Sequence, residues 1–405
     1  MRQPRVLLSA LALTSLILSG TSAFAQAPAP APTPTPAPGD LQKPTANPAP
    51  TGVAPVSAPA TGIVISGLLE ANYTYNFNSP KNNANNGYAF NDLAQQFALN
   101  LAEIQVQKKA TDAARVGFTV KLIEGEVKKL TTGVNDNATA NVLEAYGTML
   151  VPFGTRDLTV DVGQFETHVG YETVEIGTNN FFSRSFVYSI VEPVYNAGLR
   201  ASYPVSPKLT ANGYIYNQFN GRTNPGPGAS NHDLAPGFQL DYNFNANSSL
   251  IFNGLASRGV LATALAAGTK NTDQDILNLV YQNQLTPTRK VVLEGVYRFG
   301  KEANNDKYSV YGVSGYLVLG VVGLRAEYLA EGDHPSLING TGSTKKGNIG
   351  SGTISFEPKT GLFPGLRTLL EARYDFANEK LFAGKDAAND KKNQVTLTVG
   401  QIYSF

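Results

Sequence analysis

Few residues in this chain could carry catalytic chemistry. The 405 residues contain no cysteine and three histidines, His168, His232 and His334. Acyl transfer needs a nucleophile beside a histidine that a third group orients, and none of the three stands in a recognisable signature of that kind. They lack the clustered spacing of a metal site, and no glycine-rich phosphate loop separates a strand from a helix. The sequence therefore predicts no enzymatic activity, no metal and no cofactor, and lone loop histidines of this kind are expected to be solvated.

The segment at 165–193 carries the most distinctive set of charged and aromatic residues. It carries the acids Glu166, Glu172 and Glu175, together with His168 and Arg184. It also contains five aromatic residues that a solvated loop would not expose, Phe165, Phe181, Phe182, Phe186 and Tyr188. We therefore expect this segment to fold into the interior of the protein, with packing over an outer rim as the alternative.

Five arginines occupy predicted strand positions that face the same interior: Arg200, Arg298, Arg325, Arg367 and Arg373. Acids on a loop that face bases on a wall would set an electric field across an aqueous path, which orients polar solutes and tunes ion preference. A second interpretation stays open, in which the arginines form plain ion pairs with wall acids, namely Glu70, Glu144, Asp161, Asp241, Glu294, Glu327 and Glu371.

Strands of alternating polarity must position these side chains. In the first candidate strand one face is apolar and the other polar: Ile63, Ile65, Leu69, Ala71, Tyr73, Tyr75 and Phe77 against Ser66, Glu70, Asn72, Thr74 and Asn76. Strands of soluble domains are usually about 5–6 residues long, whereas a tilted transmembrane strand needs about ten. The pattern returns at 116–122, 143–151, 238–244, 291–299, 322–328 and 370–376, but segments 209–220 and 250–257 do not reveal which face is which.

Short turns and longer polar connections largely alternate between these strands. The short ones lie at 111–112, 152–156, 204–207, 245–248, 286–288, 320 and 358–364, and the long ones at 79–93, 126–140, 165–193, 221–233, 259–272, 301–306, 332–346 and 377–390. Outer-membrane barrels show this asymmetry of short periplasmic turns and long outer loops. The sequence predicts an all-β fold, a transmembrane antiparallel up-and-down β-barrel of about sixteen strands, an even number as this class requires.

The two ends predict export and membrane assembly. Arg2 and Arg5, an apolar run at 6–20 and Ala23-Phe24-Ala25 predict a signal peptide over 1–25, with a retained anchor as the alternative. Residues 26–61, rich in Ala, Pro and Thr, predict an extended periplasmic linker, with cell-wall binding as the alternative. The barrel would then span 62–405, and its last strand ends in Phe405, an aromatic terminus of the kind that barrel-assembly machinery recognises.

The composition fits a barrel with one apolar and one wet face. Charged residues make up 16% of the chain, and Gly, Tyr and Phe are abundant. The formal net charge is +1, and removal of the two signal-peptide arginines leaves 30 bases against 31 acids, which gives no indication of a nucleic-acid partner. Without Trp, the aromatic belts at the membrane surfaces would rest on tyrosines, or these rings pack on neighbouring strands: Tyr73, Tyr203, Tyr242, Tyr297, Tyr328, Tyr374 and Tyr403.

Four short segments in the middle of the chain resemble one known family. They are Val-Gly-Gln-Phe at 162–165, Gly-Tyr-Glu-Thr at 170–173, Asn-Phe-Phe-Ser-Arg-Ser at 180–185 and Ala-Gly-Leu-Arg-Ala at 197–201. In this order they resemble the OmpL-like β-barrel porins of Gram-negative bacteria. The resemblance implies an outer-membrane barrel and a porin, brings no catalytic residues and identifies no solute.

Sixteen strands would enclose an aqueous lumen unless something fills it. We therefore expect a water-filled channel for passive diffusion of small polar solutes and ions, constricted by the segment around 165–193. Two alternatives remain: a selective sugar or oligosaccharide channel, which Tyr146, Tyr171 and Tyr188 would permit, and a closed structural or adhesive barrel. Expected partners are outer-membrane lipid, the assembly machinery, small polar solutes and, in a homotrimer, two further copies of the chain.

Overall fold

The computed structural model describes residues 62–131, 141–222, 234–260, 272–301, 306–333, 337–338, 345–359, 363–386 and 389–405. Sixteen β-strands lie in this part of the chain. They are β1 (Val64–Asn76), β2 (Phe97–Lys108), β3 (Val116–Glu124), β4 (Val142–Phe153), β5 (Arg156–Glu166), β6 (Tyr195–Pro204), β7 (Leu209–Tyr216), β8 (Ala235–Asn245), β9 (Ser248–Val260), β10 (Thr272–Thr286), β11 (Arg289–Lys301), β12 (Lys307–Leu319), β13 (Val322–Glu331), β14 (Asn348–Phe356), β15 (Leu366–Ala377) and β16 (Asn393–Ser404).

The strands form a closed antiparallel barrel in which each pairs with its neighbours in the chain. β1 closes the barrel on β16, in a register that runs from Leu68 opposite Ser404 to Asn76 opposite Thr396. Gly67 and Phe405 extend this seam with two backbone hydrogen bonds of 3.0 and 3.1 Å. Closure gives every strand two partners, which backbone polar groups in a hydrocarbon environment require. The predicted all-β barrel of about sixteen strands is confirmed.

Alternation along each strand separates an apolar outer face from an inner face. On β1, Leu69 is 45% exposed at the outside while the next residue, Glu70, is 1% exposed and points inward. The structure also shows which face is the inner one in the two segments that the sequence leaves open, 209–220 and 250–257. Tyr214 on β7 and Ile251 and Leu255 on β9 are buried inside the barrel. The inner face is not wet throughout, since several of its wall positions are apolar and pack against a loop in the lumen.

The seven tyrosines predicted for aromatic belts are all exposed or half-buried. Several of them pair on the outer face with a phenylalanine two residues further along the same strand. Ring centroids are 5.0 Å apart in Tyr297–Phe299 and 6.2 Å apart in Tyr374–Phe376. An amphipathic ring beside an apolar one suits the boundary between hydrocarbon and headgroups.

The predicted alternation of short and long connections is confirmed. The connection β4–β5 has two residues, 154–155, whereas β5–β6 has 28, residues 167–194. The described residues also include a short α-helix (Lys128–Thr131), a 3₁₀ turn (Ile176–Thr178) and a π turn (Val187–Val191). None of these helices is long and apolar enough to cross a membrane. The predictions for the signal peptide, the linker, His232 and His334 concern positions outside the described residues.

Candidate functional site

The connection between β5 and β6, residues 167–194, folds into the barrel, and we call it the inner loop. Phe181, Phe182, Phe186 and Tyr188 are at most 2% exposed. Phe186 and Val187 share one apolar cluster with wall residues of β10 to β14, including Ile276, Val296, Val310, Leu329 and Ile349. The prediction that this segment folds inward is confirmed, because its aromatic residues form a core inside the lumen.

Wall carboxylates hold the backbone of the inner loop. Each accepts hydrogen bonds from loop N–H groups: Glu70 from Ile176 and Gly177, Glu294 from Tyr171, Glu327 from Phe186 and Val187, and Glu371 from Phe182 and Ser183. The N–H of Phe182, for example, lies 2.8 Å from Glu371. Irregular backbone at membrane depth is tolerated only where its polar groups find partners, and these acids supply them.

Wall arginines hold the loop's carbonyl groups in the complementary way. Four of the five predicted arginines donate to the inner loop: Arg298 to Val191 at 3.1 Å, Arg325 to Ser183 at 2.7 Å, Arg367 to Gly177 at 2.8 Å and Arg373 to Arg184 at 2.6 Å. Arg200 instead bonds to Asp161 of the wall at 2.8 Å and stacks over the rings of Tyr146 and Phe165. Four of the five predicted wall arginines therefore bind the predicted loop, mostly through its backbone carbonyls.

Glu172 forms the one direct contact between a predicted loop acid and a predicted wall arginine among the described ion pairs. Its carboxylate lies 2.9 Å from the guanidinium of Arg325, and the two side chains are 2% and 0% exposed. Glu172 also accepts a hydrogen bond from the N–H of Ser185 at 2.6 Å. The pair thus joins the inner loop to β13 in a site with almost no contact with water.

Arg184 stabilises the inner loop itself. Its guanidinium donates to the carbonyls of Thr173 at 2.7 Å and Phe182 at 3.1 Å, and to that of Val174, and it lies over the ring of Phe90. Because Arg184 is 2% exposed, its charge acts within the packed loop.

The first long connection, between β1 and β2, also reaches this region, since Tyr88 donates its hydroxyl to Asp375 of β15 at 2.9 Å. The only sequence signal for that contact is a pair of aromatic residues, Tyr88 and Phe90, in an otherwise polar loop.

The other two predicted loop acids meet a residue that sequence reasoning did not single out. The ammonium of Lys121 on β3 lies 3.2 Å from Glu166, 2.5 Å from Glu175 and 3.1 Å from the wall acid Glu144. Glu166 is the last residue of β5 rather than part of the loop. Burial alone would raise the pKa of Glu175, but the charge and hydrogen bond of Lys121, together with hydrogen bonds from Glu166 and the backbone, lower that pKa to about 2. Inward alternation on β3 was the only sequence signal for Lys121.

His168 is buried, so the expectation that it is a solvated loop histidine is wrong. Its ring stacks on Tyr214 with centroids 3.9 Å apart and planes at 17°. Nε2 donates to the carbonyl of Gly254 at 3.3 Å, which leaves Nδ1 to accept from the hydroxyl of Tyr216 at 3.3 Å. The start of the inner loop is thereby attached to β7 and β9. Within the described ranges, no group of three or more His, Cys, Asp or Glu side chains is arranged to hold a metal ion.

Comparison with known proteins identifies the architecture. The profile of the family described as "Putative beta-barrel porin-2, OmpL-like" matches residues 62–405. The structure is similar to OmpT of Vibrio cholerae (TM-score 0.52, 10% identity, 87% of this chain and 100% of that one). It is also similar to the anion-selective porin of Comamonas acidovorans (0.52, 10%, 85% and 100%) and to the outer-membrane channel DcaP of Acinetobacter baumannii (0.52, 12%, 87% and 100%). No curated protein matches the chain.

At these identities the solved structures show a shared fold, while the family match covers the whole barrel. Family and fold indicate a channel rather than an enzyme, located in the Gram-negative outer membrane. With its closed sixteen-stranded barrel and a loop folded into the lumen, the chain belongs to the OmpL-like β-barrel porin-2 family and is an outer-membrane porin.

Proposed function

We propose that the inner loop, with the adjoining residues of segment 165–193, sets the constriction of a channel for passive diffusion of small polar solutes and ions. The main support for this proposal is that two kinds of wall side chain, acids and arginines, hold the loop across the lumen. Wall acids on β1, β11, β13 and β15 bind its N–H groups, and wall arginines on β11, β13 and β15 bind its carbonyls. A loop fixed on so many sides narrows the lumen at a defined height.

The remaining path for solutes follows β3 to β5. On the opposite wall the inward side chains are covered by the loop: Asn278 and Arg373 are 1% exposed, and Glu294 is 4% exposed. In contrast, Lys121, Tyr146, Thr148 and Glu166 on β3 to β5 keep partial exposure. Hydroxyl and charged groups line this strip, which suits small hydrophilic solutes.

Charge favours cations over anions in this channel. The buried residues of the described part of the chain include twelve carboxylates and five basic side chains. Rings of acidic residues favour cations in pores. We therefore propose that the channel selects cations, and reversal potentials in a salt gradient would measure this selectivity.

The sugar-channel alternative receives less support from the aromatic residues. A sugar path would present exposed rings, whereas Tyr171 and Tyr188 are 4% and 2% exposed. Tyr146 keeps some exposure, but the guanidinium of Arg200 covers it at 4.7 Å. The closed-barrel alternative has one specific observation in its favour, namely the three apolar clusters that the inner loop forms in the lumen.

Single-channel recording separates these functions. The purified, folded chain is inserted into planar bilayers, and the same recording is made with a double variant, Glu327→Gln with Glu371→Gln, which weakens two anchors. Discrete steps in the wild type, with larger or noisier steps in the variant, support a channel constricted by the inner loop. A correctly folded barrel that gives no steps in either form supports the closed barrel, and identical steps would place the constriction elsewhere.

We also propose that the chain forms a homotrimer and is recognised by the barrel-assembly machinery. A homotrimer would bury part of the outer face, where Gly315, Ala326 and Gly352 lie in one row across β12, β13 and β14 and leave a shallow groove. Recognition by the assembly machinery would use β16, whose last ring, Phe405, is 58% exposed. Light scattering of the detergent-solubilised protein measures the oligomeric state, and Phe405→Ala tests assembly in cells.

A further inference from the structure

Three carboxylates share a single ammonium group beside the partly exposed strip of the lumen. Glu144, Glu166 and Glu175 all lie within 3.2 Å of Lys121, so three acids face a single base in this group. The four side chains are 8–13% exposed, which places them at the edge of the lumen rather than deep in the packed loop. We call these four residues the Lys121 cluster.

Glu103 on β2 adds a fourth carboxylate and points into this cluster. The strand register sets Glu103 opposite Ile123, two residues from Lys121, so both side chains lie on the inner face of neighbouring strands. Glu103 interacts electrostatically with all four members of the Lys121 cluster. It is 9% exposed, and its Oε2 is buried without a hydrogen-bond partner in the described structure.

An unpartnered carboxylate oxygen in such a place is unfavourable by itself. Burial of a charged group is compensated only by an opposite charge or by hydrogen bonds. Glu294, Glu327 and Glu371 obtain such compensation from N–H groups of the inner loop. Oε2 of Glu103 instead lies beside a group in which three acids already share one base, and a mobile cation would supply the partner that this oxygen lacks.

We propose that Glu103 and the Lys121 cluster form a cation-binding subsite on the solute path, which takes a monovalent cation or the ammonium group of an organic cation. This inference rests on the proposed path along β3 to β5. The described acids do not have the arrangement of a tight metal site, so the occupant is held by charge and exchanges freely. A transit site must bind strongly enough to admit an ion and weakly enough to release it.

The test uses the full barrel in planar bilayers, with potassium and putrescine as probes. With a subsite on the path, conductance saturates as the KCl concentration rises, and putrescine blocks the potassium current. Glu103→Gln replaces the carboxyl that would face the cation by an amide, and it should raise the half-saturating KCl concentration and the blocking putrescine concentration about tenfold, a step of about 1.4 kcal/mol. Glu144→Gln should act in the same direction, and both variants are first checked for heat-modifiable migration of a folded barrel.

Glu124→Gln is the matched control, because it removes the same charge from β3 at a position exposed to solvent. Its carboxylate is 60% exposed and pairs with Lys128 at 3.4 Å, away from the Lys121 cluster. Discrete steps with linear conductance and no putrescine block would overturn the subsite while leaving the porin function intact. An effect of Glu124→Gln as large as that of Glu103→Gln would overturn it too, since general surface charge would then be the cause. No steps from a folded barrel would instead overturn the path on which the subsite rests.

Discussion

The attachment of the inner loop can be tested by breaking the pair between Arg325 and Glu172. In Arg325→Met the carboxylate of Glu172, 2% exposed, stays buried without its counter-ion, and the carbonyl of Ser183 loses a donor. Removal of one partner from a buried pair costs about 3–5 kcal/mol. Because the pair joins the loop to β13, we expect that loss to appear mainly in the free energy of detaching the loop, with the barrel still closed by its strand pairing.

A loss of 3–5 kcal/mol corresponds to an increase of about 150- to 5,000-fold in the detached population. The chain has no cysteine, so one introduced thiol reports this opening cleanly. In a Val191→Cys background, where the position is fully buried, the rate of maleimide labelling measures the population in which the loop has left the wall. We expect Arg325→Met to raise that rate about 100-fold or more.

The control and the rescue make this prediction refutable. Arg258→Met removes an arginine whose pair with Asp275 is 48% and 15% exposed, and such surface pairs contribute about 0–1 kcal/mol. Its labelling rate should therefore change less than about fivefold. Adding Glu172→Leu to Arg325→Met removes the stranded charge and should restore slow labelling in part. Equal labelling rates in Arg325→Met and in the Val191→Cys parent would refute the conclusion that this pair holds the loop.

Three further predictions concern the same loop and its support. The pKa of Glu175 is lowered from 4.5 to about 2, so its pairing with Lys121 stabilises the folded loop above pH 4.5 and is lost as the pH falls towards 2. The rate of maleimide labelling at position 191 should therefore rise as the pH falls through this window. Glu175→Gln should remove this pH dependence. Phe186→Ala deletes a fully buried ring and should destabilise the packed loop by about 3–5 kcal/mol, which would appear as faster labelling; an unchanged rate would contradict its role in the core. Gly163 has a φ of +149°, and in Gly163→Ala the added Cβ atom would lie 2.1 Å from the carbonyl oxygen of Ala145, so the yield of heat-modifiable barrel should fall. Gly213→Ala is the control, because there is open space around that glycine, and it should fold normally.

Alternation predicted which side chains enter the lumen, but it could not predict what they bind there. Arg325, Arg367 and Arg373 were assigned to the inner wall from strand periodicity alone, and each does point inward. Their partners are backbone carbonyls of a loop more than 130 residues earlier in the chain, and backbone groups leave no mark in the residue types. For the same reason Glu327 and Glu371 looked like ion-pair candidates, whereas they also accept hydrogen bonds from loop N–H groups.

Lys121 and Glu103 show a different limit. Each occupies an ordinary inward position on its strand, and nothing in the local pattern separates it from other inward charged residues. Their importance comes from closure of the barrel and the return of the inner loop, which bring Glu144, Glu166 and Glu175 to one ammonium group. His168 failed as a prediction for a related reason, because the loop that carries it lies against Tyr214 inside the barrel rather than in solvent.

The sequence by itself determined the barrel. The side-chain period of two, the alternation of short and long connections and the aromatic outer positions are local properties, since lipid contacts one face of every strand along its whole length. Only the tertiary structure decided the chemistry of the lumen, because inward side chains meet partners from distant segments. Whether a wall charge pairs with another side chain, binds the loop backbone or stays exposed to a passing solute depends on where the 28 residues between β5 and β6 lie inside the closed sheet.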